Sequence, residues 1–244
     1  MQCASQNVTK VNLELGGKAP AIVMDDADLT FAVSAIKASR IINSGQVCNC
    51  VERVYVHARV ADAFTEQLTK AMEDTKFGDP LSQPDVAYGP LINSAGLEKV
   101  DALVRGAILE GAIVTTGGRR VEGGKGNFYE PTVLRNCRQE MEIVQKEIFG
   151  PVIPVIPVDS LEQAITYAND SEYGLTSSIY TQNLNSALRA CQDLNFGETY
   201  INRENFEAMQ GFHAGWRRSG IGGADGKHGL YEYMQTQVVY LQRY

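Results

Sequence analysis

The sequence contains no long apolar run and no excess of basic residues. Its 244 residues include 22 Lys and Arg against 29 Asp and Glu, which gives a formal net charge of -7. A surface that binds nucleic acid or anionic lipid favours clustered positive charge, so we expect neither partner. The N-terminal residues MQCASQNVTK lack an apolar signal core, and no stretch reaches the roughly 20 apolar residues of a membrane span. These absences predict a cytoplasmic protein.

Cysteine and histidine are also scarce. The cysteines are too few and too scattered for a disulfide framework, so we expect reduced thiols at Cys3, Cys48, Cys50, Cys137 and Cys191. Cys137 and Cys191 lie in apolar or helical surroundings and are predicted to be buried. A zinc site needs closely spaced ligand pairs, whereas the histidines lie far apart, at His57, His213 and His228. The sequence therefore predicts no metal site.

Helical and extended patterns alternate along the chain. Asp28 is a candidate N-cap for a helix that ends near Gly45, and apolar residues four apart predict an amphipathic helix within 58–78. Short apolar stretches such as RVYVH, TSSIYT and ETYIN lie between the helical patterns and are typical of strands. This alternation predicts an α/β fold with a mainly parallel, twisted sheet flanked by helices.

Two further segments are predicted to be extended. FGPVIPVIPVD contains three prolines, which suit the edge of a sheet or irregular extended chain because proline has no N–H to donate. TQVVYLQRY, at the end of the chain, is predicted to be a tail strand that pairs outside its own domain.

Three short stretches combine a reactive side chain with a glycine turn. In INSGQVCNC, Cys48 follows Gly45, where a helix should end, and neighbouring N–H groups can favour its thiolate. In LELGGKAP, Glu14 leaves an apolar strand before two glycines and is a candidate general base. In KEIFGPV, Glu147 and Phe149 precede a tight turn. Taken singly, each stretch also has an ordinary structural explanation: buried cysteines, a solvated turn carboxylate, or a surface Glu beside a core Phe.

In this order, LELGGK, GQVC and EIFGPV strongly resemble the aldehyde dehydrogenase superfamily. The resemblance continues through YGPLIN, FYEPTVL, ANDSEYGLTSSIYT and SGIGG, and it covers essentially the whole chain. GQVCNC, the segment that follows ETYIN, and TQVVYLQ look most like the lactaldehyde and glycolaldehyde dehydrogenases. The resemblance implies the C-terminal, catalytic half of an enzyme that oxidises a short aldehyde to the carboxylate with NAD.

The resemblance also implies a role for each motif residue. Cys48 matches the nucleophile, which forms a thiohemiacetal and then a thioester. Glu14 matches the base that activates water to hydrolyse that thioester. Glu147 matches the residue that holds the nicotinamide ribose of NAD, and Phe149 matches the ring that packs beside the nicotinamide. Cys50 has no catalytic role in this interpretation, and it is a candidate oxidation partner.

The loop RENFEAMQGFHAGW is expected to line the aldehyde entrance, as it does in the family. Its Glu207 and His213, together with Asn49, are side chains that can hydrogen-bond a hydroxyl beside the aldehyde carbon. Such pairing discriminates strongly against substrates that lack the hydroxyl. We therefore predict a short 2-hydroxyaldehyde substrate such as lactaldehyde or glycolaldehyde. The alternative, that Glu207 and His213 are solvated loop residues, stays open at this point.

The resemblance divides the chain into three parts. Residues 1–20 correspond to a remnant of the dinucleotide-binding domain and a linker that carries Glu14. Residues 21–230 correspond to the catalytic domain, and residues 231–244 to a tail strand for oligomer or interdomain pairing. Because the family places most of its cofactor domain before the residue that Glu14 matches, we expect NAD binding by this chain to be incomplete.

Three functional alternatives follow from this division. The chain is an active dehydrogenase, or it is a truncated and catalytically silent domain that associates with full-length subunits through its tail. The third alternative is a thiol esterase activity, which needs only Cys48 and Glu14. The expected partners are a small aldehyde substrate and, as in the full-length family, further copies in a homo-oligomer.

Overall fold

Helices and strands alternate along the chain, as the apolar periodicity predicts. The computed structural model describes residues 1–121, 123 and 126–244. Its strands are β1 Leu13–Glu14, β2 Ala19–Val23, β3 Val51–His57, β4 Ile113–Thr116, β5 Thr132–Arg135, β6 Val152–Val158, β7 Tyr173–Gly174, β8 Thr176–Tyr180, β9 Glu198–Ile201, β10 Trp216–Arg217 and β11 Gly220–Ile221. Its helices are α1 Gln2–Ser5, α2 Leu29–Ile41, α3 Ala61–Glu73, α4 Ser94–Leu109, α5 Glu142–Gln145, α6 Leu161–Asn169, α7 Leu184–Asp193 and α8 Gly226–Glu232.

Capping side chains begin several of these helices. Asp28 accepts a hydrogen bond from the Phe31 N–H and begins α2, as predicted. Asn93, Ser160 and Asn183 cap α4, α6 and α7 in the same way. Each cap satisfies a backbone donor that the first helical turn leaves free. Among the described residues, no helix is both long and apolar enough to cross a lipid bilayer.

The main sheet lies at the centre of the molecule. Within the described ranges it has seven strands, in the order β4-β5-β6-β3-β2-β8-β9. All neighbouring pairs run parallel except β4, which runs antiparallel to β5 at one edge. Parallel neighbours need a crossover connection, and the helices between the strands provide it. The sheet is therefore mainly parallel, as predicted.

Alternate residues of the central strands pack on opposite faces of this sheet. On one face, Val23, Val54 and Val56 contribute to a buried apolar cluster with α2 and α3. On the other face, Ile22 and Tyr55 belong to a cluster that includes residues of α4, α5, α6 and α7. Covering both faces explains why the strands are almost continuously apolar. The predicted α/β architecture with flanking helices is confirmed.

β6 is an interior strand, and the edge position predicted for FGPVIPVIPVD is wrong. It pairs with β5 on one side and with β3 on the other. Pro154 and Pro157 each remove one N–H from the sheet, which costs a hydrogen bond worth about 0.5–1.5 kcal/mol. Residues 152–156 are nonetheless fully buried. Full burial of one large apolar side chain contributes about 1.5–3 kcal/mol, so the burial of this strand outweighs the two lost hydrogen bonds.

The predicted tail strand over 231–244 does not form in this chain. Helix α8 extends to Glu232, and residues 234–244 are neither helix nor strand. A strand needs a neighbour for its N–H and C=O groups, and no strand of the described residues pairs with the tail. Its apolar side chains are consequently exposed, namely Val238, Val239, Tyr240 and Leu241. Pairing of this segment with another chain or domain stays a prediction.

The N-terminal residues contact the rest of the chain through β1. This strand pairs antiparallel with β11, and Glu14 lies opposite Gly220. β2 begins at Ala19, inside the segment 1–20 that was assigned to the remnant and linker. The division of the chain into three parts stays a prediction.

Candidate active site

Cys48 lies in a turn between α2 and β3. A short 3-10 turn follows α2, and it contains three consecutive residues with positive φ: Asn43 at +46°, Ser44 at +62° and Gly45 at +76°. A Cβ at Gly45 would lie 2.4 Å from the Gly150 carbonyl oxygen, so both the φ angle and the close approach require glycine. The turn takes the chain away from the sheet before β3 begins. Cys48 is therefore half-buried rather than part of the core.

Two side chains from distant parts of the sequence meet Cys48. Glu14 comes from β1, and His213 comes from the loop before β10, where its backbone pairs with Ala224. The Cys48 Sγ, a Glu14 carboxylate oxygen and a His213 ring nitrogen lie within 4.8 Å of one another. His213 Nε2 lies 3.0 Å from Glu14 Oε2. The predicted nucleophile, the predicted base and one predicted substrate-binding residue thus form one cluster.

Glu198 lies on the other side of the His213 ring and was not among the residues predicted from the sequence. One Glu198 oxygen hydrogen-bonds His213 Nδ1, and the other accepts a hydrogen bond from the Tyr200 hydroxyl. Residues 198 and 200 alternate along β9 and so point to the same side of the strand. The polar pair at this spacing in ETYIN was the available signal.

The charges of the cluster hold a proton on His213. Hydrogen bonds with Cys48 and Glu198, followed by the negative charges of Glu198 and Glu14, outweigh burial and raise the pKa of His213 to about 11. Burial raises the pKa of Glu14, and the charge of His213 opposes that rise. The ring is therefore an imidazolium at neutral pH. A cation in this position can stabilise negative charge on the Cys48 sulfur.

Asn49 and Glu207 lie beside this cluster and bond to each other. The side-chain amide of the buried Asn49 donates to a Glu207 carboxylate oxygen, and the backbone carbonyl of Asn49 accepts from the Thr176 hydroxyl at 2.9 Å. Glu207 is half-buried and lines a cleft of about 410 Å³ that also contains Glu198. His213 is only 7% exposed. The alternative that these are solvated loop residues is therefore wrong for His213 and applies at most in part to Glu207.

Glu147 and Phe149 lie beside the glycine turn that follows Glu14. The Gly17 N–H donates to Glu147 Oε1 at 2.8 Å, and a Cβ on Gly17 would lie 2.4 Å from the Cys48 carbonyl oxygen. Gly17 thus lies in space between the Glu147 side chain and the backbone of Cys48. Burial raises the pKa of the half-buried Glu147 carboxyl. Phe149 has a φ of +60°, which is rare for a bulky residue and is typical of functional sites.

The same two residues carry the side-chain types that the sequence predicts to contact a nicotinamide cofactor. Glu147 Oε2 has no hydrogen-bond partner in the part of the chain that the structure describes, so it is free to accept from a sugar hydroxyl. Phe149 is half-buried and has a left-handed backbone two residues after Glu147. A ribose hydroxyl group and a flat ring are what such a pair accommodates.

A buried carboxylate, Glu52, joins the three loops that carry these residues. It pairs with Lys18 Nζ at 2.9 Å and with Arg40 Nη1 at 2.7 Å, and none of the three side chains is more than 2% exposed. Its oxygens also accept the Ile148 N–H at 2.7 Å and the Phe149 N–H at 3.1 Å. These residues were not among those predicted from the sequence, although a Lys, an Arg and a Glu within apolar segments were the available signal.

The charges around Glu52 compensate one another. Burial alone would raise the pKa of Glu52, but Arg40 and Lys18 together lower it to about 2. Burial lowers the pKa of Lys18 to about 8, although Glu52 opposes this change. Arg40 also donates to the carbonyls of Gly45 and Val51, on both sides of the Cys48 turn. The glycine turn, the cysteine turn and the 147–150 loop are therefore connected by one set of buried ionic hydrogen bonds.

The remaining cysteines differ in exposure. Cys50 is buried, its Sγ donates to the Val47 carbonyl at 2.9 Å, and burial raises its pKa to about 11. Cys137 is buried, as predicted. Cys191 is exposed, and the prediction that it is buried is wrong. Helix α7 buries Ala187 and Ala190, whereas Cys191 lies in the last turn of the helix, where it is exposed.

Comparison with known proteins places the chain in a family. Residues 1–239 match the profile described as the aldehyde dehydrogenase family. The chain is 66% identical over 242 residues to the lactaldehyde dehydrogenase of Escherichia coli (strain K12), a match that covers 99% of this chain and 50% of that protein. It is 46% identical over 244 residues to the 3,6-anhydro-alpha-L-galactose dehydrogenase of Vibrio sp. (strain EJY3), which covers 99% and 51% of the two proteins.

Solved structures give the same result. The fold superposes on a crystal structure of Escherichia coli lactaldehyde dehydrogenase with a TM-score of 0.97 at 66% identity, over 100% of this chain and 51% of that one. It also superposes on a Staphylococcus aureus betaine aldehyde dehydrogenase in complex with NAD+, with a TM-score of 0.90 at 37% identity, over 96% and 46% of the two chains. The chain spans about half the length of the relatives that it matches. It belongs to the aldehyde dehydrogenase family.

Proposed function

We propose that this chain oxidises a short 2-hydroxyaldehyde, such as lactaldehyde or glycolaldehyde, to the carboxylate with NAD. The observation that supports this most directly is the cluster of Cys48, Glu14 and His213, whose reactive atoms lie within 4.8 Å of one another. A nucleophile, a base and a hydrogen-bond donor for a neighbouring hydroxyl are the groups that the reaction needs. The 66% identity to a lactaldehyde dehydrogenase supports the same substrate class.

Cys48 is the proposed nucleophile. Its thiolate attacks the aldehyde carbon and forms a thiohemiacetal, because a thiolate is a strong nucleophile at neutral pH. The neighbouring His213 ring hydrogen-bonds the Cys48 sulfur and holds it in position for the attack. NAD, when bound, accepts the hydride that the former aldehyde carbon gives up. The acyl group then remains on the Cys48 sulfur as a thioester.

Glu14 is the proposed base for hydrolysis of this thioester. Its carboxylate takes a proton from water, and the resulting hydroxide attacks the acyl carbon and releases the carboxylate product. Glu14 is one-third exposed, so water reaches it, and its raised pKa makes it a better proton acceptor than an ordinary surface carboxylate. Glu147 and Phe149 are the residues proposed to hold the ribose and the nicotinamide of NAD.

Asn49, Glu207 and His213 are proposed to recognise the substrate hydroxyl. The hydrogen bond between Asn49 and Glu207 fixes both side chains beside the cluster. The bond from Glu198 fixes the His213 ring in turn. Polar groups that are already oriented lose little entropy on binding. They are left without their substrate partner when the aldehyde lacks a hydroxyl, and this penalises such a substrate.

The direct test is NADH absorbance from the purified chain with NAD and lactaldehyde. We expect NADH formation by the wild-type chain and none by Cys48→Ser. The matched control is Cys191→Ser, since Cys191 is exposed on α7 and lies outside the cluster, and this variant should keep wild-type activity. Absence of NADH from the wild-type chain, or activity that persists in Cys48→Ser, contradicts the proposal.

Substrate recognition is tested by comparing lactaldehyde with propanal. Glu207→Gln should lower kcat/KM for lactaldehyde by roughly 10–100-fold, which corresponds to the loss of one hydrogen bond to a charged group. The value for propanal should change little, because propanal has no hydroxyl. Glu204→Gln is the control, since Glu204 is exposed in the same loop. An equal loss of kcat/KM for both aldehydes would contradict the recognition of the substrate hydroxyl by Glu207.

Ester hydrolysis is a second candidate function. It needs a thiol nucleophile and a base, and this chain holds both, with their reactive atoms within 4.8 Å of each other. The test is cleavage of p-nitrophenyl acetate without NAD. We expect Cys48→Ser to abolish this cleavage and Glu14→Gln to give an initial burst followed by slow turnover, because the acyl group then remains on Cys48. Equal rates in all three proteins would contradict it.

A further inference from the structure

The cluster around Cys48 contains ligand types that bind zinc. It offers a thiol sulfur, an imidazole nitrogen and a carboxylate oxygen, from Cys48, His213 and Glu14, within 4.8 Å of one another. Ligands at 2.0–2.3 Å from a tetrahedral zinc ion stand roughly 3.5 Å apart. His213 Nε2 and Glu14 Oε2 stand 3.0 Å apart and need to separate slightly, and no pair of ligand atoms is more than 4.8 Å apart, so small side-chain shifts bring all three to one ion. These three residues lie far apart along the sequence, so ligand spacing did not indicate this arrangement.

The hydrogen-bond partners of the His213 ring are arranged like those of a metal-binding histidine. Glu198 binds Nδ1 and itself accepts from the Tyr200 hydroxyl, while Nε2 faces Glu14 at 3.0 Å. A carboxylate on one ring nitrogen orients the other nitrogen toward a metal ion and makes it a stronger ligand. Zinc binding displaces the proton from His213 Nε2 and the proton of the Cys48 thiol, and both are released to solvent. Three protein ligands leave a fourth position for water, as in zinc sites of the open type.

We propose that Cys48, His213 and Glu14 form a binding site for Zn²⁺, and that bound zinc blocks the reactions of the Cys48 sulfur. A thiolate and an imidazole favour zinc over Mg²⁺ or Ca²⁺, which prefer oxygen ligands. The metal–sulfur bond occupies the electron pair that would attack an aldehyde. The inference goes beyond the proposed oxidation and needs neither NAD nor aldehyde, so its failure and that of the proposed function are distinguishable.

The first test measures zinc binding by the reduced, metal-free chain in competition with a chromophoric chelator. Because Cys3 and Cys191 are also exposed, the reference protein is the Cys3→Ser, Cys191→Ser double variant. We expect one zinc ion per chain in the wild type and in this reference. Cys48→Ser in the reference background should lose it, and Glu198→Gln should bind about 10–100-fold more weakly. Loss of zinc in the reference, or retention by Cys48→Ser, overturns the proposal.

The second test uses the wild-type chain and needs no variant that alters the cluster. Cys48 and Cys191 are alkylated with iodoacetamide, and the modified peptides are quantified by mass spectrometry. Saturating ZnCl₂ should slow alkylation of Cys48 at least tenfold and leave Cys191 unchanged, while MgCl₂ should protect neither. Equal Cys48 alkylation with and without zinc overturns the proposal. The outcome does not depend on whether the chain oxidises aldehydes.

Discussion

Replacing Glu52 with Gln should destabilise the protein more than any surface charge change. Glu52 lies between two buried cations, Lys18 and Arg40, and accepts two backbone N–H groups of the 147–150 loop. Gln has nearly the same shape but carries no charge. In Gln, an NH₂ group replaces one of the two carboxylate oxygens. This NH₂ group donates hydrogen bonds and therefore faces other donors at a position where the carboxylate oxygen accepted hydrogen bonds. The substitution therefore removes the compensating charge and leaves donors without partners.

Breaking a buried ion pair from one side typically costs about 3–5 kcal/mol, because an uncompensated charge stays in the interior. Lys18 limits the cost here. Its pKa is already about 8, and Glu52 is the largest influence that keeps it from falling further. In the variant, Lys18 can therefore lose its proton at neutral pH. Since a domain is stable by only about 5–15 kcal/mol, a destabilisation of about 3–5 kcal/mol is a large fraction of the total free energy of unfolding.

The contribution of Glu52 should also depend on pH in a defined direction. Its folded pKa of about 2 lies below the ordinary value of 4.5. The folded state therefore binds the proton less tightly than the unfolded state does. The stabilisation is fully present above pH 4.5 and is lost as the pH falls from 4.5 toward 2. The difference in stability between wild type and Glu52→Gln should shrink over that acid window.

Urea denaturation followed by far-UV circular dichroism measures this change. The matched control is Glu66→Gln, because Glu66 is exposed on α3 and forms no ion pair among the described residues. Hydrogen exchange gives a local readout, since the amides of Ile148 and Phe149 should exchange faster in Glu52→Gln. If Glu52→Gln is as stable as Glu66→Gln and these amides stay protected, the buried ionic group does not connect the loops as described.

Three further predictions concern the backbone, the core and the tail. Gly45→Ala should lower the free energy of unfolding by more than about 1 kcal/mol, because of its positive φ and its contact with Gly150, whereas Gly106→Ala in α4 should raise it by about 0.5–1 kcal/mol; equal effects in urea melts would contradict this. Phe64→Ala should cost about 3–5 kcal/mol in the same assay, since Phe64 is fully buried between α3 and the sheet. Val239→Asp should change the stability of the monomeric chain by less than about 0.5 kcal/mol, because Val239 is 75% exposed; a larger loss would mean that the tail packs on the domain.

Most of the fold was predictable because its signals are local. Asp28 as a cap and the four-residue spacing along α3 identify helices from a few neighbouring residues. The prolines of β6 led to the wrong prediction of an edge strand. The burial of an interior strand compensates for their missing N–H donors, and this burial exists only after the sheet has formed. The apolar alternation of the tail also suits a strand, but no strand of the described residues pairs with it, and its pairing with another chain or domain stays a prediction.

The sequence by itself determined the family, the α/β class and the motif residues Cys48, Glu14, Glu147 and Phe149, because short motifs in a fixed order record them. Only the tertiary structure decided which side chains meet. It brought His213 to Cys48, placed Glu198 behind the imidazole ring, and joined three loops through Glu52. These contacts link residues far apart in the chain, and the packing of helices on a parallel sheet creates them. Charge, burial and pKa depend on that proximity, and no local pattern encodes it.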